Sequence, residues 1–465
     1  QEEVRDPSRM AEVLNRVIEK AFRGSAPAQI NVPRDYWTQI VDIELPPIVR
    51  FERQGGGKEA IDNAAKILSD AKFPVILSGA GVVIGNAIED CIKIAEKLDS
   101  PVCNGYQHND SFPGSHPLAV GPLGYNGSKA AMELIAKADV VLALGTRLNP
   151  FSTLPGYGID YWPKNATIIQ VDVNPDRIGL TKKVTVGICG DAKMVAQQIF
   201  EKLSSSAGDN GRQERKNLIH QKKSSWLQTL TSLDHEDDDP GTVWNKEARE
   251  RDKDRMSPRQ AWRAIQAGMP DDVIISSDIG NNCAIGNAYP TFEKGRKYLA
   301  PGLFGPCGYG FPSILGAKIG CPDTPVIGFA GDGAFGISMN EMSSCARDEW
   351  PAITMVIFRN YQWGAEKRNS ILWFEDNFVG TELDPELSYS KIANACGLKG
   401  VSVKTMEETT NAIIQSCEDQ KKGITTFIEV ILNQELGEPF RRDAMKKPVQ
   451  VAGIDKKDMK PQKLQ

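Results

Sequence analysis

Histidine is scarce in this 465-residue chain, and it lacks both paired cysteines and long apolar runs. The four histidines are scattered, and none of the nine cysteines stands in a C-x-x-C pair, so no zinc site of the usual ligand spacing is expected. An unpaired set of thiols also argues against a disulfide scaffold and fits a reduced, cytoplasmic enzyme. No apolar stretch reaches the roughly 18 residues that would suggest a membrane span, and no secretory signal is recognised. Fifty-five basic residues face 60 acidic ones, for a net charge of −5, so no basic surplus points to nucleic acid.

What is present is an ordinary globular composition, 40% hydrophobic and 25% charged, in a chain too long for one core. Residues 1–45 hold an amphipathic helix at 7–23 and a strand at 28–32, closed by Pro33. They read as the end of a domain whose earlier part is missing, leaving the strand without a sheet to pair with. The prolines and glycines between Leu45 and Gly57 read as a linker. Across 46–205, short apolar runs at 74–77, 101–103, 138–144 and 167–173 alternate with helical segments, the pattern of a parallel sheet covered on both faces. Residues 206–255 are polar, include the acidic run Asp234 to Asp239, and read as a solvated linker. A second α/β pattern fills 256–435, with strands at 273–276, 326–329 and 353–358, and 436–465 form a Lys-rich, loosely held tail. The expected class is α/β, multi-domain, with parallel sheets.

One stretch carries chemistry. Pro325-Val326-Ile327-Gly328-Phe329-Ala330 reads as a buried strand that stops in Gly331-Asp332-Gly333-Ala334, with a helix expected to begin near Ser338. A second buried strand stops at Arg359-Asn360. The unit is β-α-β with a right-handed crossover. Asp332 and Asn360 therefore fall at the carboxyl ends of two parallel strands, the edge where open α/β sheets bind ligands. One carboxylate and one amide carbonyl suit a hard cation such as Mg²⁺, which completes its oxygen shell with water and phosphate. The glycines beside Asp332 let backbone N–H groups approach a phosphate, and the following helix adds its positive end. A lone Gly-Asp-Gly is a turn. With the strand before it and Asn360 28 positions later, it predicts a metal-bridged diphosphate.

This spacing resembles the signature of the thiamine-diphosphate-dependent enzymes, and the likeness extends beyond it. Ser277-Asp278-Ile279-Gly280-Asn281-Asn282 is similar to that family's other diphosphate loop, and Gly305-Pro306-Cys307-Gly308-Tyr309-Gly310-Phe311-Pro312 to the loop that grips the aminopyrimidine ring. The resemblance implies Mg²⁺ ligands at Asp332, Asn360 and the backbone carbonyl of Gln362. It implies thiamine diphosphate contacts at Gly280, Asn281, Asn282, Gly305, Cys307, Asp332, Gly333, Ala334 and Asn360. Gly305 would offer its carbonyl to the ring amino group. Cys307 stands where the family has Met, Leu or Ile propping the bent cofactor, so that support is looser here or shared with a neighbour.

The arrangement is similar to acetolactate synthase, with pyrimidine, middle and diphosphate domains. More narrowly, Arg359-Asn360-Tyr361-Gln362-Trp363-Gly364-Ala365-Glu366-Lys367-Arg368-Asn369 resembles the sulfoacetaldehyde acetyltransferases. So do Asn377-Phe378-Val379-Gly380-Thr381-Glu382-Leu383, Gly105-Tyr106-Gln107-His108-Asn109-Asp110 and the stretch from Leu148 to Tyr157. That resemblance implies sulfoacetaldehyde and phosphate as substrates, acetyl phosphate and sulfite as products, and a homodimer or homotetramer with the site between subunits. It implies a parallel-sheet thiamine-diphosphate-binding fold with most of the N-terminal pyrimidine-binding domain missing. The glutamate that activates the cofactor would then lie outside this chain. Glu2 and Glu3 lead into what resembles that domain's last helix, and Glu341 and Glu366 fall on the diphosphate side. An acetolactate synthase-like carboligase and a non-catalytic cofactor-binding homologue are the alternatives.

Other residues stay open. Gly79-Ala80-Gly81 lacks the third glycine of a dinucleotide loop and reads as a degenerate turn. His108 and His116 are either substrate or intermediate contacts or ordinary loop residues. Arg359, Lys367 and Arg368 either hold the sulfonate and phosphate anions or belong to a solvated face.

Overall fold

In a computed structural model, all residues are described except 25, 48–51, 233–249, 303, 374–377 and 437–465, and the side chains of 368, 369 and 371–373. The acidic run at 234–239 and nearly all of the basic tail lie outside the described residues.

Two six-stranded parallel sheets dominate. The first holds β3 (Pro74–Ser78), β4 (Val102–Asn104), β5 (Ala119–Pro122), β6 (Val140–Leu144), β7 (Thr167–Asp172) and β8 (Val186–Cys189), in the order β5-β4-β3-β6-β7-β8. The second holds β9 (Ile274–Ser277), β10 (Tyr298–Leu299), β11 (Val326–Gly331), β12 (Thr354–Arg359), β13 (Lys399–Val403) and β14 (Thr426–Ile431), in the order β10-β9-β11-β12-β14-β13. Central strands are continuous apolar runs because helices cover both faces: every residue of β3, β6 and β12 is buried. The apolar-run reading locates β3, β4, β6, β7, β9, β11 and β12. It passes over β5, β8, β10, β13 and β14, which are short, carry glycine or proline, or contain a charged residue.

The N-terminal segment differs from expectation. Its strand shortens to β2 (Ile30–Asn31) and does have a partner, pairing in parallel with β1 (Glu2–Glu3). Glu2 accepts hydrogen bonds from Arg16 and Lys20 on the helix Met10–Gly24, and Val4, Val13 and Val17 form a small core.

The segment 206–255 is not a solvated linker throughout, for it contains the 21-residue helix Arg212–Ser232. Its anchor is Arg215, fully buried, whose guanidinium donates to the carbonyls of Asp99 (2.9 Å), Lys72 (2.6 Å), Asn210 (2.8 Å), Leu98 (2.7 Å) and Gly208 (2.7 Å). A buried cation hydrogen-bonded to carbonyls is invisible to hydropathy, and this one makes a polar stretch part of the first sheet's unit. Trp226, on the same helix, packs edge-on against Tyr157.

The two sheets meet through the loop after β4. Asn109 donates to the carbonyls of Asn287 and Pro290, and the Asp110 carboxylate accepts the backbone N–H groups of Lys297 and Tyr298 at the start of β10. No described helix is long and apolar enough to cross a membrane.

The Arg215 anchor is testable. Arg215→Ala removes a donor from five carbonyls and should lower stability by about 3 kcal/mol, read by urea unfolding. Hydrogen exchange should show loss of protection concentrated in the helix Arg212–Ser232 while β11 and β12 stay protected. A loss under about 1 kcal/mol would fit a surface substitution and refute the anchoring role.

Candidate cofactor site at two strand ends

β11 and β12 are paired with Gly331 opposite Phe358, so the chain leaves both strands at the same level. Asp332 and Asn360 follow immediately, both buried. The helix expected near Ser338 begins earlier, at Asp332 itself (Asp332–Ser338), so the carboxylate stands on the first residue of the turn rather than in a loop before it.

Each ligand candidate is held by its neighbours. Asp332 Oδ1 accepts the N–H of Gly333 at 3.0 Å, and Oδ2 accepts the N–H of Tyr361 at 2.7 Å and Arg359 Nη1 at 3.0 Å. Burial pushes the Asp332 carboxyl up to about 6, with the Arg359 charge working against that shift. Asn360 turns its amide nitrogen toward Asn282 Oδ1 at 3.4 Å, which leaves its oxygen for a cation. Gln362 is buried, and its side-chain oxygen has no hydrogen-bond partner among the described residues.

The surroundings fit a cation and a diphosphate. Gly331 ends β11 and Gly280 follows β9, its neighbour in the sheet; a Cβ at either position would meet nothing within 4 Å. Gly333, by contrast, lies under Trp363, whose ring would stand 2.8 Å from an added Cβ. The donors are a carboxylate, an amide oxygen and carbonyls, the hard-oxygen chemistry of Mg²⁺. The loop carrying Gly305 and Cys307 is tied to the end of β9 by Asp278. That buried carboxylate accepts the N–H groups of Ile279 (2.8 Å), Gly308 (3.2 Å) and Gly310 (2.7 Å). The sequence reading placed Asp278 in a cofactor loop without giving it a role. Its signal was available, since it too stands just past a buried strand. Cys307 itself is exposed.

Other candidates are placed differently. The side chain of Asn281, a residue expected on the diphosphate, receives the Tyr125 hydroxyl and donates to the Leu436 carbonyl. Arg359 is fully buried and faces Asp332 and Glu429 rather than an incoming anion. Lys367 is neither on a solvated face nor open to a ligand: it is buried, ion-paired with Glu382 and within 3.4 Å of Gln434 Oε1. Burial lowers the pKa of Lys367. The side chain of Arg368 lies outside the described residues.

His108 sits elsewhere, in a cleft of about 370 Å³ at the carboxyl edge of the first sheet, with Gly81, Arg147 and Asp191 and, from the second unit, Ala300 and Gly302. Among the described residues, Asp332, Asn360 and Gln362 do not line it. Desolvation, aided by the Arg147 charge, lowers the imidazole to about 4. His116 packs edge-on against Phe112 and lies 3.4 Å from Glu96, the environment of a loop residue.

This fold, with these residues at its strand ends, is that of a thiamine pyrophosphate enzyme. The family's central domain matches residues 61–199 and its C-terminal cofactor-binding domain residues 278–430. Among curated proteins, the chain is 76% identical over 463 residues to the "Probable sulfoacetaldehyde acetyltransferase" of Rhizobium meliloti, a match covering all of this chain and 78% of that one. It is 72% identical over 464 residues to the sulfoacetaldehyde acetyltransferase of Roseovarius nubinhibens, covering all of this chain and 77% of that one. The crystal structure of benzoylformate decarboxylase from Polynucleobacter necessarius shares the fold, with a TM-score of 0.71 at 19% identity over 94% of this chain and 76% of that one. The chain belongs to the sulfoacetaldehyde acetyltransferase family.

Two outcomes are expected. Asn360→Ala removes a neutral ligand without stranding a charge, and should weaken Mg²⁺-dependent thiamine diphosphate binding by ~100-fold, with Asp332→Ala at least as severe. Calorimetric titration at fixed Mg²⁺ measures this, and wild-type affinity in the Asn360 variant would rule out the ligand assignment.

For His108, the folded pKa lies below the ~6.5 of an unfolded chain. The unfolded state therefore takes up a proton first as pH falls. Stability tied to this group is present above pH ~6.5 and is lost as pH drops toward 4. The His108 ring resonances should not titrate between pH 5 and 8, and His108→Gln should flatten the stability profile across the acid window. A midpoint near 6.5 in the folded protein would contradict this.

Proposed function

We propose that the protein cleaves the C–S bond of sulfoacetaldehyde and transfers the resulting acetyl group to phosphate, giving acetyl phosphate and sulfite. The observation that carries this reading is the likeness to sulfoacetaldehyde acetyltransferases along the entire chain. The strand-end geometry supports the cofactor class but does not by itself select the aldehyde.

Thiamine diphosphate, when bound, would supply the carbon nucleophile and electron sink that the side chains of this chain lack. The chain's own task is positioning. Asp332 Oδ1, the Asn360 amide oxygen and the Gln362 carbonyl would hold a Mg²⁺ ion beside the diphosphate, with Gly280 leaving open space for its approach and Gly333 and Ala334 standing on the first turn of the helix Asp332–Ser338. Asp278 keeps the Gly305–Cys307 loop against the end of β9, where the aminopyrimidine would lie. The Trp363 ring packs over Gly333, beside Asp332. Arg359 and Lys367 are engaged in ion pairs, so their part in holding the sulfonate or phosphate would be indirect.

A homo-oligomer with shared sites is part of the same reading. Phe304 (91% exposed) and Ile337 (57%) stand at the Gly305–Gly308 loop, exposed apolar side chains of the sort another copy would cover.

The test supplies purified protein with thiamine diphosphate, Mg²⁺, sulfoacetaldehyde and phosphate, quantifies sulfite and acetyl phosphate, and measures molar mass by light scattering. Equal amounts of both products from an oligomer are expected. Acetolactate from pyruvate without sulfite release would favour the carboligase reading, and cofactor binding with no turnover of either substrate would favour a binding homologue.

A further inference from the structure

We infer that Arg359 is a positioning residue that closes one oxygen of Asp332, making it a one-oxygen ligand and biasing the site toward Mg²⁺ over Ca²⁺. The inference rests on the metal reading proposed above for Asp332 and Asn360.

Arg359 ends β12 and is fully buried. One arm of its fork, Nη1, donates to Asp332 Oδ2 at 3.0 Å. The other, Nη2, donates to the Leu387 carbonyl at 2.9 Å and to the Asp384 carbonyl. The guanidinium carbon lies 4.1 Å from the Tyr361 ring centroid and 5.5 Å from that of Tyr389. A planar fork held at both arms and between two rings cannot follow a carboxylate that turns.

The carboxylate is held as firmly from its other sides. Tyr361 adopts φ = +62°, uncommon for a residue with a side chain, and its N–H meets the same Oδ2 at 2.7 Å. The Tyr389 hydroxyl donates to Asp332's own backbone carbonyl at 2.9 Å. Oδ2 thus carries two donors, while Oδ1 carries a single N–H, from Gly333. A cation arriving at this carboxylate is offered Oδ1 alone. Mg²⁺ takes about six oxygens in a tight octahedron, whereas Ca²⁺ takes six to eight and often both oxygens of one carboxylate. Closing Oδ2 removes the denticity that Ca²⁺ exploits and costs Mg²⁺ nothing.

The test reads metal preference through cofactor binding. Thiamine diphosphate affinity is measured by tryptophan fluorescence and calorimetry in saturating Mg²⁺ or saturating Ca²⁺, for wild type, Arg359→Gln, Arg359→Lys and Ser390→Ala. Ser390 donates to Glu429, which lies 3.8 Å from Arg359 Nε, so its variant disturbs the same buried cluster without touching Asp332. Arg359→Gln leaves Oδ2 with the Tyr361 N–H alone, as Oδ1 has that of Gly333, so both oxygens can meet a cation and the Mg²⁺-to-Ca²⁺ affinity ratio should fall ~10-fold. Arg359→Lys keeps the charge but cannot reach the carboxylate and the carbonyls together, so the ratio should fall by at least ~3-fold. Ser390→Ala should leave the ratio at the wild-type value. If Arg359→Gln does not fold, Arg359→Lys decides alone. A wild-type ratio in the lysine variant, or equal weakening with both metals in both arginine variants, overturns the inference. Absence of any metal-dependent binding in the wild type would instead remove the metal reading beneath it.

Discussion

The buried pair of Asp332 and Arg359 is the interaction on which the second sheet's working edge depends. Both side chains are essentially solvent-free, so neither charge has water to fall back on. Such a pair adds little net stability, because desolvation offsets the attraction, but either partner alone costs ~3–5 kcal/mol. The requirement extends to a third strand. Glu429 on β14 is buried as well, 3.8 Å from Arg359 Nε, and its carboxylate accepts the N–H groups of Tyr389 and Ser390 and the hydroxyls of Ser388 and Ser390. β11, β12 and β14 are neighbours in the sheet, and Glu429 is in register with Ile357. Three adjacent strands therefore contribute charges that meet only in one register, and a one-residue slip would place Glu429 on the opposite face.

A similar logic joins the two sheets. The loop after β4 reaches the second unit through Asn109 Nδ2 and Asp110 Oδ2, which find partners at Asn287, Pro290 and the start of β10. Apolar contact alone would tolerate sliding. Directional hydrogen bonds from buried groups do not, since each one lost leaves an unsatisfied polar atom. The same loop carries His108, so the cleft it lines is braced from both units.

How much of this was legible in the sequence follows from where the partner of each residue lies. Asp332 and Asn360 were readable because strand, glycine and spacing are local signals, and the structure places both at the strand ends as expected. The charge on Arg359 was visible, but its partner was not: a basic residue beside a diphosphate motif suggests an anion contact, and only the fold reveals Asp332 and Glu429 around it. Lys367 was misjudged for the same reason, its partner Glu382 lying 15 positions away. Glu429 interrupts an apolar run and obscured β14. The helix Arg212–Ser232 was hidden because its buried anchor is an arginine satisfied by carbonyls, which composition reads as solvated. β10 is two residues long and leaves no periodicity to find.

Pairing the cations off internally has a consequence for the cofactor. Asp332, Glu429 and Glu382 contribute three negative charges around the strand ends, while Arg359 and Lys367 supply two positive ones. Taken by itself, this cluster leaves a surplus of one negative charge facing a ligand that is itself a polyanion. Backbone N–H groups of the β9 loop can orient a diphosphate, but they carry only partial charge and cannot reverse the sign of the field. A divalent cation at Asp332 and Asn360 can, since adding two units turns the cluster positive where the phosphate oxygens would lie. The internal ion pairs thus make the proposed metal more than a bridge.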